Sequence, residues 1–281
     1  MSVPASPDDL PVRVKRSIAV SKALQLLDAF LEGGHTLGVT ELGLRTGLPK
    51  STAFRLVAQL TASGYVIRNR NSYRLNTRMF ELGNRYIHSR PQGLKDVASP
   101  LLGDLFLQTG FMVSLAIPDG TDVILLDRLR SSRGPLSPTV IGGRRGALAT
   151  DVGKAMAAFQ DRATQERMIA AHTERYTAHT IMNPGRLRQQ LQAVRETAIA
   201  FDLEENSLGI VGIASPVLVN NRAIAAVSIS GPANRLDLTK FESKVLRTAR
   251  LVSTNFIRAR ELAHDYEPDQ TRWGYEPDAE E

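Results

Sequence analysis

The chain has 281 residues, with 35 Lys and Arg against 29 Asp and Glu for a formal net charge of +6, and no cysteine. That length suits two domains, each able to bury a core. The lack of cysteine excludes disulfides and a thiolate zinc site and fits a reducing, cytoplasmic setting. No apolar run nears the roughly 20 residues that a membrane helix requires, and the N-terminus reads as lacking a secretory core.

The charge is unevenly spread. Residues 1–90 carry thirteen basic and six acidic side chains, whereas residues 261–281 carry one arginine and eight acids. A basic head suits a polyanion, and an acidic end reads as a solvated tail. Residues 1–12, with Pro4, Pro7 and Pro11 and no periodicity, read as a flexible arm. Arg13, Lys15 and Arg16 follow as a phosphate-contacting cluster. A first helix is expected over 18–32, with Ala19, Ala23, Leu26, Leu27, Phe30 and Leu31 as its buried face and Gly33-Gly34 as its stop. Residues 35–39 read as a short strand.

The stretch 39–64 predicts two short helices joined by a tight turn. Thr40 is placed to N-cap the first, Gly47 to end it in a left-handed conformation, and Pro49 to open the second. Ala53, Leu56, Val57 and Leu60 recur at helical spacing, and Gly64 closes the element. Lys50, Ser51, Thr52 and Arg55 lie off that apolar stripe in the first turns, where a recognition helix meets base edges and phosphates. A plain solvated face would look the same in isolation. The segments 65–68 and 72–75 alternate about Asn69-Arg70-Asn71, which predicts a hairpin with a basic tip. A helix–turn–helix followed by such a hairpin is the winged variety, with Arg68 and Arg70 placed for the phosphate backbone or minor groove. The expected partner is double-stranded operator DNA.

Thr77 opens a linker helix, with Met79, Leu82, Tyr86 and Ile87 on its apolar side, and Pro91-Gln92-Gly93 stops it. Helices and strands alternate from there. The pattern predicts helices over 94–109, 151–159, 163–171 and 185–196, hairpins 112–117/123–129 and 210–219/223–230, and a strand over 199–203. Asp119-Gly120 and Asn220-Asn221 mark the two turns, and Thr239 is placed to cap a last helix reaching about residue 263. Helices on an antiparallel sheet make this an α+β domain. The expected organisation is an arm (1–12), a winged helix–turn–helix (13–76), a linker helix (77–92), an α+β domain (93–264) and an acidic disordered tail (265–281).

The segments GLPKSTAFRLVAQLTASGYV (47–66), ATDVGKAMAAF (149–159), FDLEENSLGIVGIASPV (201–217) and AAVSISGPANRL (225–236) resemble, in this order, the IclR family of bacterial transcriptional regulators. The resemblance spans residues 16–263. It implies a winged helix–turn–helix, a linker helix and a GAF-like effector domain, in homodimers or dimers of dimers. It also implies regulation, most often repression and alternatively activation, of a catabolic operon in answer to an organic acid, aromatic acid or amide. Carried onto this chain, the family's effector cavity would be lined by Asp151, Val152, Asp202, Ile210, Gly212, Ser228 and Ser230. Helix N-terminal N–H groups and strand hydroxyls suit an anion or carbonyl oxygen.

Two positions depart from the family. A small residue is common where Asp151 stands, and cysteine where Gly212 stands. Gly212 would leave room for a bulkier ligand such as an aromatic ring. Asp151 would disfavour a bare carboxylate or select an N–H or O–H donor, unless it merely caps its helix.

Other chemistries find no support. The five histidines (His35, His88, His172, His179 and His264) are dispersed, so no metal is expected. Ser215 lies outside any nucleophile elbow, and no base–nucleophile set appears, so neither enzymatic activity nor a cofactor is expected. Gly142–Gly146 lacks the spacing of a phosphate loop and reads as a surface loop. Glu204-Glu205 reads as structural or solvated.

Overall fold

A computed structural model describes residues 18–31, 36–88, 93–131 and 139–264, and the chain divides into two compact units between Tyr86 and Ile87. Arg13, Lys15, Arg16 and both tails lie outside the described residues.

In the first unit, α1 (Ile18–Asp28), α2 (Val39–Thr46) and α3 (Lys50–Ala62) accompany a three-stranded antiparallel sheet. Its strands are β1 (Leu37–Gly38), β2 (Val66–Asn69) and β3 (Ser72–Leu75), in the order β1-β3-β2. Leu26, Leu37, Leu42, Ala53, Leu56, Val57, Val66 and Tyr73 form one core cluster. Burying each large apolar side chain contributes about 1.5–3 kcal/mol, which holds three short helices that would be marginal alone. Leu37 pairs with Tyr73, so the strand expected before α2 joins the wing.

The expected apolar face of α1 is only partly realised. Leu26 and Ala29 are buried, whereas Ala19 and Leu31 are exposed. The helix ends at Asp28. Thr40 lies inside α2, whose N-cap is Gly38 with no side-chain bond. Gly47 is left-handed at φ 65° and its N–H reaches back to close the helix, as expected. The next helix, α4, spans Thr77–His88, and the Asn76 carboxamide accepts from the Thr77 N–H at its start. Phe80 and Leu82 are exposed on it, so Leu82 is not on a covered face within its own unit.

The second unit is a six-stranded antiparallel sheet in the order β6-β5-β4-β9-β8-β7. The strands are β4 (Met112–Asp119), β5 (Asp122–Leu129), β6 (Arg144–Gly146), β7 (Ala200–Leu203), β8 (Ile210–Val219) and β9 (Arg222–Pro232). The expected surface loop at 142–146 therefore ends as strand, because β6 pairs with β5 through Asp122–Ile124. Asn220 and Asn221 both take positive φ at the β8–β9 turn, a conformation asparagine tolerates.

Strand alternation divides the two faces. Ile213, Val217, Val227 and Ile229 meet Leu102 and Leu105 of α5 (Leu94–Thr109) and Val245 and Val252 of α9 (Glu242–His264). The other face presents Ala116, Ala200, Ala214 and Ala226 to α6 (Asp151–Ala157) and α8 (Pro184–Thr197). α7 (Arg162–Ala171) lies between these two in sequence, with Met168 and Ile169 in the same cluster. Thr239 does not cap α9. It sits in the 3₁₀ turn Leu238–Phe241 and donates to Asp237 Oδ1 at 2.7 Å, and α9 begins at Glu242.

Four alanines beneath α6 let it sit close to the sheet, and Gly153 lets its first turn press against the 3₁₀ turn Ala147–Ala149. A Cβ added there would overlap the Ala147 carbonyl. Gly153→Ala is expected to destabilise the second unit by about 1–3 kcal/mol, the cost of overpacking a close contact. A thermal-unfolding midpoint equal to that of the unsubstituted protein would contradict this packing.

Candidate functional site

In the first unit, burial of Ala53, Leu56 and Val57 fixes the rotation of α3. Lys50, Ser51 and Arg55 consequently point to solvent, with Thr52 half-buried beside them. The N-cap, Pro49, makes no side-chain bond, which leaves first-turn N–H groups of α3 open to an anion. The wing tip is a two-residue loop, since Asn69 pairs with Ser72. Arg70 takes φ 51° there, and its carbonyl accepts from Arg68 Nε at 3.1 Å, which holds both exposed arginines on one rim. Asn76 Nδ2 donates to the Gly64 carbonyl at 2.7 Å, and Arg78 stacks over Tyr65 at 5.1 Å, which together tie the base of the wing to the end of α3. None of the polar side chains singled out on α3 and the wing is spent on the protein's own core.

In the second unit, a cavity of about 50 Å³ lies at the N-terminus of α6. Asp151, Val152, Asp202, Ile210, Ser228 and Ser230 all line it, so six of the seven residues singled out from sequence come together. The seventh, Gly212, lies on the neighbouring floor, paired with Ser230 of β9 and Asp202 of β7. The space above it is filled. A Cβ at Gly212 would overlap Asp151 Oδ2 and sit 3.1 Å from Ser230 Oγ. Gly212 thus accommodates the Asp151 carboxylate and leaves no vacancy for an aromatic ring, contrary to expectation.

Nor is Asp151 the helix cap. Thr150 is, accepting from the Gly153 N–H at 3.0 Å. Asp151 Oδ1 accepts from the Val152 N–H at 2.8 Å, and its buried Oδ2 has no hydrogen-bond partner among the described residues. Asp202 lies one residue before the end of β7, and its Oδ1 accepts from the N–H groups of Glu205 (2.7 Å) and Asn206 (3.3 Å) in the turn that follows. Burial pushes the Asp151 carboxyl up to about 6. Burial and the nearby Asp151 charge push Asp202 up to about 7, so the two titrate as a coupled pair.

The sequence reading missed three basic residues beside these acids. Arg128 reaches the cavity from the end of β5, its Nε donating to Ser114 Oγ at 3.2 Å and its Nη1 to the Thr139 carbonyl. Desolvation pulls its pKa down, and Asp151 opposes that. Arg145 of β6 donates to Asn206 Oδ1 at 2.8 Å and stacks over Tyr176 at 4.4 Å. Lys154 of α6, only 1% exposed, meets Glu205 Oε1 at 2.5 Å. Glu205 is therefore a buried structural acid, whereas Glu204 bonds the Gly209 N–H at an exposed turn. Loss of either partner of such a buried pair costs about 3–5 kcal/mol.

A larger cavity, about 240 Å³, lies beside the β4–β5 turn, with Pro118, Met156, Gln160 and Met168 in its wall. Asp122 is the charged residue of that lining, so the convergence of polar groups belongs to the smaller cavity. Among the described residues, no cluster of His, Asp and Glu could hold a metal, and no helix is long and apolar enough to cross a membrane.

An outward-facing recognition helix with a basic wing defines a DNA-binding transcriptional regulator. The model of the IclR helix-turn-helix domain matches residues 19–70, and that of the bacterial transcriptional regulator IclR C-terminal matches residues 85–254. The chain belongs to the IclR family. It is 30% identical over 253 residues to the HTH-type transcriptional repressor AllR of Escherichia coli (strain K12), covering 87% of this chain and 92% of that protein. It is 28% identical over 244 residues to the transcriptional repressor IclR of the same organism, covering 84% and 88%. Among solved structures it resembles an IclR homolog from Microbacterium hydrocarbonoxydans complexed with 4-hydroxybenzoate, with a TM-score of 0.77, 21% identity, and coverage of 86% of this chain and 100% of that one. It also resembles IclR of Thermotoga maritima, with a TM-score of 0.67, 25% identity, and coverage of 83% and 96%. Members of this family are transcriptional regulators, not enzymes.

The raised carboxyls give a signed pH dependence. The folded chain holds these protons in a window, about pH 4 to 7, where the unfolded chain has released them. Their contribution to stability is complete below about pH 4 and is lost as pH rises through 6 to 7. Asp202→Asn keeps an oxygen to accept from the Glu205 and Asn206 N–H groups but cannot ionise. Its stability relative to the unsubstituted protein is expected to climb by about 1–3 kcal/mol between pH 4 and pH 8 in urea unfolding. Parallel pH curves for the two proteins would contradict the buried-acid assignment.

Proposed function

We propose that this regulator represses a catabolic operon and that a small organic effector, held in the cavity under α6, sets its grip on operator DNA. The observation that carries the DNA half is the rotation of α3. Its apolar stripe is buried while Lys50, Ser51 and Arg55 face outward beside the half-buried Thr52, with Arg68 and Arg70 on the wing as phosphate contacts. Arg13, Lys15 and Arg16 would add contacts from the N-terminal arm. Repression is favoured over activation because the relatives AllR and IclR are named repressors.

The effector half rests on the cavity and on a homologue complexed with 4-hydroxybenzoate. As it stands, the cavity has the volume of a few water molecules, which favours a compact polar effector over an aromatic ring. Pairs of chains, in dimers or dimers of dimers, would place two winged heads on the half-sites of one operator. An effector shifts the balance between two arrangements only by its differential affinity for them, typically about 1–3 kcal/mol.

Gel-shift or anisotropy titration on the duplex upstream of the chain's own gene tests the reading. Arg55→Ala is expected to weaken specific binding by about 1–3 kcal/mol and binding to random duplex far less. Arg68→Ala should weaken both alike and lower the salt slope by about 1. Equal losses on specific and random DNA for Arg55→Ala would contradict the assignment of α3.

A further inference from the structure

We infer that the cavity under α6 is a two-pole site for a compact effector carrying a carboxylate beside an amide-type N–H donor, and that Asp151 selects for that donor. The inference rests on the effector-binding reading above and names the chemistry of the same site.

Asp151 is 6% exposed and lines the cavity, and its Oδ1 is satisfied by the Val152 N–H, yet its Oδ2, which lies over Gly212, has no hydrogen-bond partner among the described residues. Buried polar atoms are almost always paired, by protein, water or ligand. Its neighbour Oδ1 already takes the Val152 N–H, and none of the described side chains donates to Oδ2. The carboxylate is also built in. It occupies the space that any side chain on Gly212 would need, so the aspartate and the glycine form a matched pair. An acceptor so placed calls for a donor from the ligand.

The opposite pole is cationic. Arg128 from β5 and Arg145 from β6 line the same cavity, Arg128 held by Ser114 and the Thr139 carbonyl and Arg145 by Asn206 and the Tyr176 ring. Ser228 and Ser230 of β9 lie between, on one strand face. The charged groups around Asp151 are thus Arg128, Arg145, Asp202 and Lys154, the last also paired with Glu205. A plain carboxylate fits the arginine pole but brings nothing to Oδ2. A compound with a carboxylate at one end and an amide nitrogen at the other satisfies both. A volume of about 50 Å³ restricts it to a few heavy atoms.

Oxamate and pyruvate form an isosteric probe pair, since an NH₂ group in the first replaces a CH₃ group in the second. Calorimetric titration of the full chain above about pH 7, where Asp151 is ionised, is expected to show oxamate binding about 10–100-fold tighter, the worth of one hydrogen bond to a charged acceptor. Asp151→Ala should bring the two affinities together by weakening oxamate. Equal affinities in the unsubstituted protein, tighter binding of pyruvate, no binding of oxamate at millimolar concentration, or a preference that survives Asp151→Ala would each overturn the inference. If oxamate fails but another small compound releases the operator duplex, effector control stands and only the two-pole assignment falls. An operator complex indifferent to a panel of small acids, amides and aromatics would count against effector control itself.

Discussion

The second unit is organised by how closely α6 lies on its sheet. Ala116, Ala200, Ala214 and Ala226 provide a floor with almost no relief, and Gly153 lets the helix start press against the Ala147 carbonyl. At the N-terminal end of the helix the floor changes from alanine to Ser228, Ser230 and Gly212. That change turns a dry helix–sheet contact into a polar cavity. The other face of the sheet, filled by branched residues against α5 and α9, gives the cavity a rigid base.

Such close packing forces acids into a poorly solvated place, and the fold answers each differently. Glu205 pairs Oε1 with the Lys154 ammonium and leaves its Oε2 without a hydrogen-bond partner among the described residues. Asp202 is held by two backbone N–H groups at a turn. Asp151 keeps one oxygen unmatched. An unpaired buried carboxylate oxygen costs about 1–3 kcal/mol or more, and groups left in that condition gather at functional sites. The first unit follows the opposite rule, since Lys50 and Arg55 of α3 and Arg68 and Arg70 of the wing stay in water over an apolar core cluster.

Much of this architecture was legible in the sequence because it is set by local rules. The 3.6-residue spacing of Ala53, Leu56 and Val57 fixed which way Lys50 and Arg55 point, and Gly47 and Asn220-Asn221 marked turns by their tolerance of positive φ. Helix starts were less legible. Thr40 and Thr239 are good caps by type, but Gly38 caps α2 and Thr239 lies inside the 3₁₀ turn that precedes α9. The cavity residues singled out came from family resemblance, and the physical relations among them are long-range. Lys154 and Glu205 lie 51 residues apart, Arg145 and Asn206 lie 61 apart, and no periodicity announces either pair. The same holds for Asp151 over Gly212, whose contact inverts the meaning of the glycine from empty room to a seat for a carboxylate.

The account joins a DNA-reading head to a ligand-reading body, and thermodynamic linkage makes that junction measurable. If the cavity governs the head, operator DNA must change effector affinity by the same factor that effector changes operator affinity. The direct measurement is calorimetric titration of oxamate into the full chain with and without saturating operator duplex. The account predicts weaker binding on the duplex by about 5–150-fold, matched by an equal loss of operator affinity when the cavity is filled. Identical oxamate affinity in the two states would contradict it.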